Sequence, residues 1–108
     1  MADFSIEQMQ EMQKILQDTY KEKWEPISPQ TGKNKLLWMI GEVGEVIDII
    51  KKHEAEQACA DEKLRKDLVE ELADVLMYYN DVLLCYGISP KERKSVYVKK
   101  FEKNMTRW

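Results

Sequence analysis

An all-α bundle of about four helices is the fold class this sequence predicts, and three observations predict it. Apolar residues recur at spacings of three and four along most of the chain, the spacing of one helix face. Ser-x-x-Gln and Ser-x-x-Glu patterns open two of those segments, as capping boxes do. Only four glycines and three prolines interrupt 108 residues, too few for a β-rich fold with many turns. The length gives a single domain spanning residues 1–108 with room for one core. A domain this small buries proportionally little of its surface, so its core is expected to be completed by oligomerisation.

The first helix is expected from Ser5 to about Lys23. Ser5 is its N-cap, Gln8 closes the capping box, and Phe4 with Met9 fits a hydrophobic staple. Ile6, Met9, Met12, Leu16 and Tyr20 form its stripe. Residues 24–32 contain Pro26, Ser28, Pro29 and Gly32 and read as a loop. This loop feeds the next helix and forms a rim for whatever that helix binds.

The second helix is expected from about Lys33 to about Glu54, with Leu36, Ile40, Val43, Ile47 and Ile50 as its core stripe. Gly41 and Gly44 share a face inside it, which would admit another backbone or a ligand. Residues 55–60 read as a turn. Asp61 then caps a third helix running to about Tyr86, with Gly87 past its end. Two adjacent apolar stripes mark that helix as buried on most sides: Leu68, Leu72, Val75, Tyr79 and Val82, and beside them Val69, Ala73, Leu76 and Leu83. A chain of four helices offers too few neighbours for both. Ser89, Pro90 and Glu92 open the fourth helix as N-cap, N1 and capping-box partner. Val98, Phe101, Met105 and Trp108 make its core stripe, and Lys100, Asn104 and Arg107 share a face beside it.

Net charge of −3 and a pI near 5.3 argue against a general nucleic-acid binder. No apolar run approaches a membrane span, and a cytoplasmic location with Cys59 and Cys85 reduced is expected. His53 reads as a surface residue.

The chemistry resides in two acidic pairs, Glu42 with Glu45 and Glu71 with Asp74. Residues three apart are neighbours on a helix, so each pair forms a ledge of two carboxylates. The intervening residues 46–70 let one helix end and the next return alongside it. Four carboxylates facing one another repel unless a cation sits between them, and oxygen-only ligands suit a hard divalent ion such as Mg²⁺. One Glu-x-x-Glu alone is common on solvated surfaces, whereas two set beside buried stripes need pairing or a metal. A di-iron bundle requires a Glu-x-x-His on each of two helices. His53 has Ile50 three residues upstream, which excludes it.

Gly-Glu-Val-Gly-Glu at 41–45, Glu-Glu-Leu-Ala-Asp-Val-Leu at 70–76 with Tyr78 following, and Lys100, Asn104 and Arg107 together resemble the MazG-type all-α nucleoside triphosphate pyrophosphohydrolases. The resemblance covers residues 5–107. Lys33, Asn34 and Trp24 are similar to its dCTP pyrophosphatase branch. The resemblance implies cleavage of a (deoxy)nucleoside triphosphate between the α- and β-phosphates, with a role in clearing surplus or non-standard nucleotides. It implies Mg²⁺, with Mn²⁺ as a substitute, held by Glu42, Glu45, Glu71 and Asp74 as the catalytic carboxylates. It further implies that Trp24 and Tyr78 hold the base and that Lys33, Asn34, Lys100, Asn104 and Arg107 meet the substrate. The implied partners are a nucleoside triphosphate and further copies of the chain in a homodimer or homotetramer, with no nucleic-acid polymer and no membrane. Trp38 departs from the smaller aliphatic residue of relatives and is expected to fill core. The alternatives are a sibling enzyme acting on dUTP or phosphoribosyl-ATP, and a non-catalytic helical protein whose acidic seam binds a partner.

Overall fold

Two long antiparallel helices form the spine of the molecule, and the other elements are arranged against them. The computed structural model describes residues 4–108. Five α-helices follow in order: α1 (Ile6–Thr19), α2 (Gly32–Lys51), α3 (Ala55–Ala60), α4 (Glu62–Cys85) and α5 (Pro90–Arg107), with a single 3₁₀ turn at Pro29–Thr31. No strand occurs among the described residues. The all-α class is therefore as the sequence predicts, and among the described residues no helix is long and apolar enough to cross a membrane.

Local chemistry sets the helix ends. Ser5 Oγ accepts from Gln8 N at 3.1 Å while Gln8 Oε1 accepts from Ser5 N at 2.7 Å, the expected capping box. α1 stops at Thr19 rather than near Lys23 because the chain turns there. Trp24 N–H donates back to the Tyr20 carbonyl at 2.8 Å, and the two rings stack with centroids 4.7 Å apart. Asp61 caps α4 by accepting from Leu64 N at 2.9 Å, and Ser89 caps α5 by accepting from Glu92 N at 3.1 Å. The return bond of that second box is not formed among the described residues. Gly87 follows α4 at φ 65°, a left-handed conformation that disfavours a side chain.

Residues 55–60 are a short helix, not the expected turn. Ala-rich sequence favours it, and Gln57 Oε1 accepts from Glu54 N at 3.0 Å at its start. α2 accordingly ends at Lys51 and not at Glu54. It also begins one residue early, at Gly32, where an added Cβ would lie 2.5 Å from the Tyr86 ring. Gly41 and Gly44 face open space in a single chain, so neither admits a close helix contact within it.

The expected core stripes of α2 and α5 are not the packed faces. Leu36, Ile40, Val43, Ile47 and Ile50 are exposed, and α2 meets α4 instead through the face of Lys35, Met39, Glu42, Val46 and Ile49. On α4, Leu83 is buried and Leu68, Ala73, Val75 and Val82 are half-buried as expected, but Val69, Leu72, Leu76 and Tyr79 are exposed. Val98, Phe101 and Met105 of α5, and Trp108 just past its end, are exposed too, since α5 packs mainly on α1. Val46, Leu83 and Cys85 are the only buried hydrophobic residues among those described.

The single chain is correspondingly open. Its radius of gyration is 16.3 Å, where a compact domain of this length has about 13 Å. It exposes 8616 Å², against about 6,300 Å² for a compact monomer of the same mass. An apolar groove of about 680 Å³ lies between α1, α4 and α5, lined by Ile6, Met9, Leu76, Tyr79 and Tyr97 among others.

Candidate active site

The α2–α4 contact brings three carboxylates to one point. Glu42 and Glu45 stand one turn apart on α2, and Glu71 reaches them from α4. Ligand oxygens of the three lie within 4.8 Å of one another. Asp74, the fourth expected member, is outside this trio and lines the adjoining cleft beside Glu42. Glu42 and Glu71 each have an Oε2 atom that is buried without a hydrogen-bond partner. A buried carboxylate oxygen left this way is costly, and a cation would relieve it.

The electrostatics agree. A hydrogen bond shared with Glu45 pushes the Glu71 carboxyl up to about 7, and burial and the neighbouring negative charges act in the same direction. Burial raises Glu42, with the charge of Glu45 adding to it. These oxygens are therefore short of positive charge. An all-oxygen donor set of this kind fits a hard divalent cation.

Beside the trio opens a cleft of about 420 Å³. Trp24 and Tyr78, expected to hold a base, both line it. Trp38 lines it as well and is half exposed, so it is a wall of the cleft and not core. Its ring meets Tyr78 edge-on with centroids 6.1 Å apart. Burial raises the Tyr78 phenol, with the charges of Glu42, Asp81 and Asp74 adding to the effect, which keeps the hydroxyl a donor. Asn34 Nδ2 donates to Glu25 Oε1 at 2.8 Å and fixes that carboxylate on the rim.

Other expected substrate residues stand elsewhere. Lys33 is exposed and does not line the cleft. Lys100, Asn104 and Arg107 are exposed on α5, outside the cleft of their own chain. Arg107 lies over the Trp108 ring at 4.8 Å.

The far end of the cleft holds polar residues that the sequence reading passed over. Asp81 is buried, and its Oδ1 accepts from Gln13 Nε2 at 2.8 Å and from Gln17 Nε2 at 3.0 Å. Burial raises the Asp81 carboxyl, opposed by those two hydrogen bonds and by the positive charge of Lys35. Lys35 is itself buried, with Nζ 4.9 Å from the Trp38 ring centroid. The signal was present in the spacing: Lys35 lies seven residues before Glu42 and Asp81 seven after Asp74, two turns along the same faces.

Fold and site together define an all-α domain in which a trio of carboxylates adjoins an aromatic cleft. The model of the MazG nucleotide pyrophosphohydrolase domain matches residues 30–105. The chain belongs to that family, whose members are nucleotide pyrophosphohydrolases. Comparison with curated proteins and with solved structures gives no match.

Proposed function

We propose that this protein is a Mg²⁺-dependent pyrophosphohydrolase that cleaves a (deoxy)nucleoside triphosphate between the α- and β-phosphates, removing surplus or non-standard nucleotides. One observation carries the reading: the carboxylate trio, with two buried and partnerless oxygens, opens directly onto a cleft walled by three aromatic rings. Glu42, Glu45 and Glu71 would hold the metal. When bound, the metal supplies charge to the phosphates and lowers the pKa of a coordinated water. Asp74, beside the trio and not within it, would take a proton from the attacking water. Trp24, Trp38 and Tyr78 offer flat surfaces to the base.

The reading includes a second copy of the chain. The excess of exposed surface over a compact monomer is about 2,300 Å², the scale that obligate interfaces bury. The uncovered stripes of α2, α4 and α5 and the apolar groove between α1, α4 and α5 are the surfaces a second copy would cover. Lys100, Asn104 and Arg107 sit beside the α5 stripe. A partner's α5 laid against α2 and α4 would carry these donors toward the phosphates.

Pyrophosphate release measured over a panel of nucleoside triphosphates, with Mg²⁺ and with chelator, tests the proposal. Metal-dependent release of pyrophosphate with the matching monophosphate is the expected result. Absence of release from every nucleotide would leave an acidic helical interaction protein as the better account.

A further inference from the structure

Lys35 is only 2% exposed, yet it makes no ion pair; the one ion pair among the described residues joins Lys66 and Glu70. Nor does it take part in the hydrogen bonds that order the cleft, where Asp81 Oδ1 is occupied by the two glutamine amides. Because a carboxylate only accepts, those amides must present Nε2 to Asp81, and the anion is thereby pinned. The stem of Lys35 is buried while its ammonium reaches the cleft, where the Asp81 carboxylate offsets its charge. Lys35 lines the cleft, so an occupant of the cleft can accept a hydrogen bond from the ammonium.

Position decides which acceptor. Lys35 is two turns, about 10 Å, from Glu42 along α2 by the helical rise, and Trp38 and Tyr78 stand between the two ends of the cleft. Phosphates are drawn to the metal end. They are disfavoured at the Lys35 end by the Asp81 carboxylate. A base held by the aromatic walls would extend its polar edge toward Lys35. We infer that Lys35 is a specificity-determining residue that donates to a carbonyl oxygen of the nucleobase, so that the cleft selects bases carrying a ring carbonyl over adenine, which has none. This rests on the nucleotide-binding part of the reading above. A site that directs a charged donor at a ligand carbonyl discriminates against a ligand that has no acceptor there.

Product binding tests this without requiring turnover. Dissociation constants for dUMP, dCMP, dGMP and dAMP can be read from quenching of Trp24 and Trp38. dAMP should bind at least about tenfold more weakly than any of the three carbonyl-bearing nucleotides, the scale of one charge-assisted hydrogen bond. Lys35→Met keeps the apolar stem and the helix propensity. It should weaken the carbonyl-bearing nucleotides about ten- to a hundredfold while leaving dAMP unchanged. Lys35→Gln, which retains a neutral donor, should fall between and serves if Lys35→Met does not fold. Equal binding of dAMP by the wild type, or an unaltered preference in a folded Lys35 variant, overturns the inference. Hydrolysis of triphosphates with no base preference would overturn it and leave the hydrolase reading standing. Carbonyl-selective binding without hydrolysis of any triphosphate would do the reverse.

Discussion

Glu42 and Glu71 approach each other across the α2–α4 contact, and each keeps one carboxylate oxygen buried with nothing to accept from. In the metal-free protein this arrangement opposes folding, and its relief by a cation links stability to function. Glu71→Gln or Glu45→Ala should abolish Mg²⁺-dependent hydrolysis, lowering kcat by at least about a hundredfold. The same variants should match or exceed the melting temperature of metal-free wild type, because a repulsion is removed. Pyrophosphate release and thermal melts with chelator check both halves. Full turnover in either variant would refute the carboxylate assignment.

The pH dependence follows from the same pair. Glu71 is raised to about 7 and Glu42 is also raised, so the folded state holds protons that the unfolded chain releases near pH 4.5. Between about pH 4.5 and 7 the native state binds more protons, and stability falls as pH rises. Metal-free melting temperature should therefore decline from pH 5 to pH 7.5. Added Mg²⁺ should raise it more at pH 7.5 than at pH 5, where protons compete for the same oxygens. A Mg²⁺ shift independent of pH would count against the trio as the metal ligands.

Exposed apolar stripes predict self-association. The wild-type chain should sediment as a dimer or tetramer at micromolar concentration. Val69→Glu or Leu76→Glu, each placing a charge on an uncovered α4 face, should shift it toward monomer or leave it unfolded. A stable wild-type monomer would defeat this expectation.

α5 separates enzyme from scaffold. Arg107→Ala should lower kcat/KM about ten- to a hundredfold, the scale of one charge-assisted contact, with little change in melting temperature. Arg107→Lys should recover only part, having lost the planar fork. If α5 serves its partner's cleft, mixing Arg107→Ala with Glu45→Ala should raise activity above that of either variant alone. Unchanged kinetics in Arg107→Ala would place phosphate binding elsewhere.

Much of this was legible in the sequence where the determinant is local. The caps at Ser5, Asp61 and Ser89 and the stop at Gly87 depend on a few adjacent residues, and they stand where the sequence puts them. The short α3 was missed because six Ala-rich residues carry no stripe, although Glu54-x-x-Gln57 marks its start. Which face of α2 packs could not be read from apolarity. Leu36, Ile40 and Ile47 outweigh Lys35, Met39 and Glu42 in hydrophobicity, yet the second set faces α4. The chain has more apolar faces than internal partners, and periodicity does not say which neighbour takes which face. For the site, pairing at i and i+3 revealed the acidic ledges. The offset of Asp74 from the trio and the burial of Lys35 and Asp81 depend on how two helices meet, which no single helix encodes.

The connection from α1 to α2 is secured at both ends. Trp24 is stacked on Tyr20. Seven residues on, Thr31 Oγ1 donates to the Pro26 carbonyl at 2.6 Å and accepts from Ser28 N at 3.1 Å, with Pro29 stiffening the turn between them. Little conformational freedom is left for a ligand to remove, so the entropy of ordering this wall is already spent during folding. Capture should then behave as docking onto a rigid surface, with an association rate set by diffusion and orientation instead of by closure of a lid.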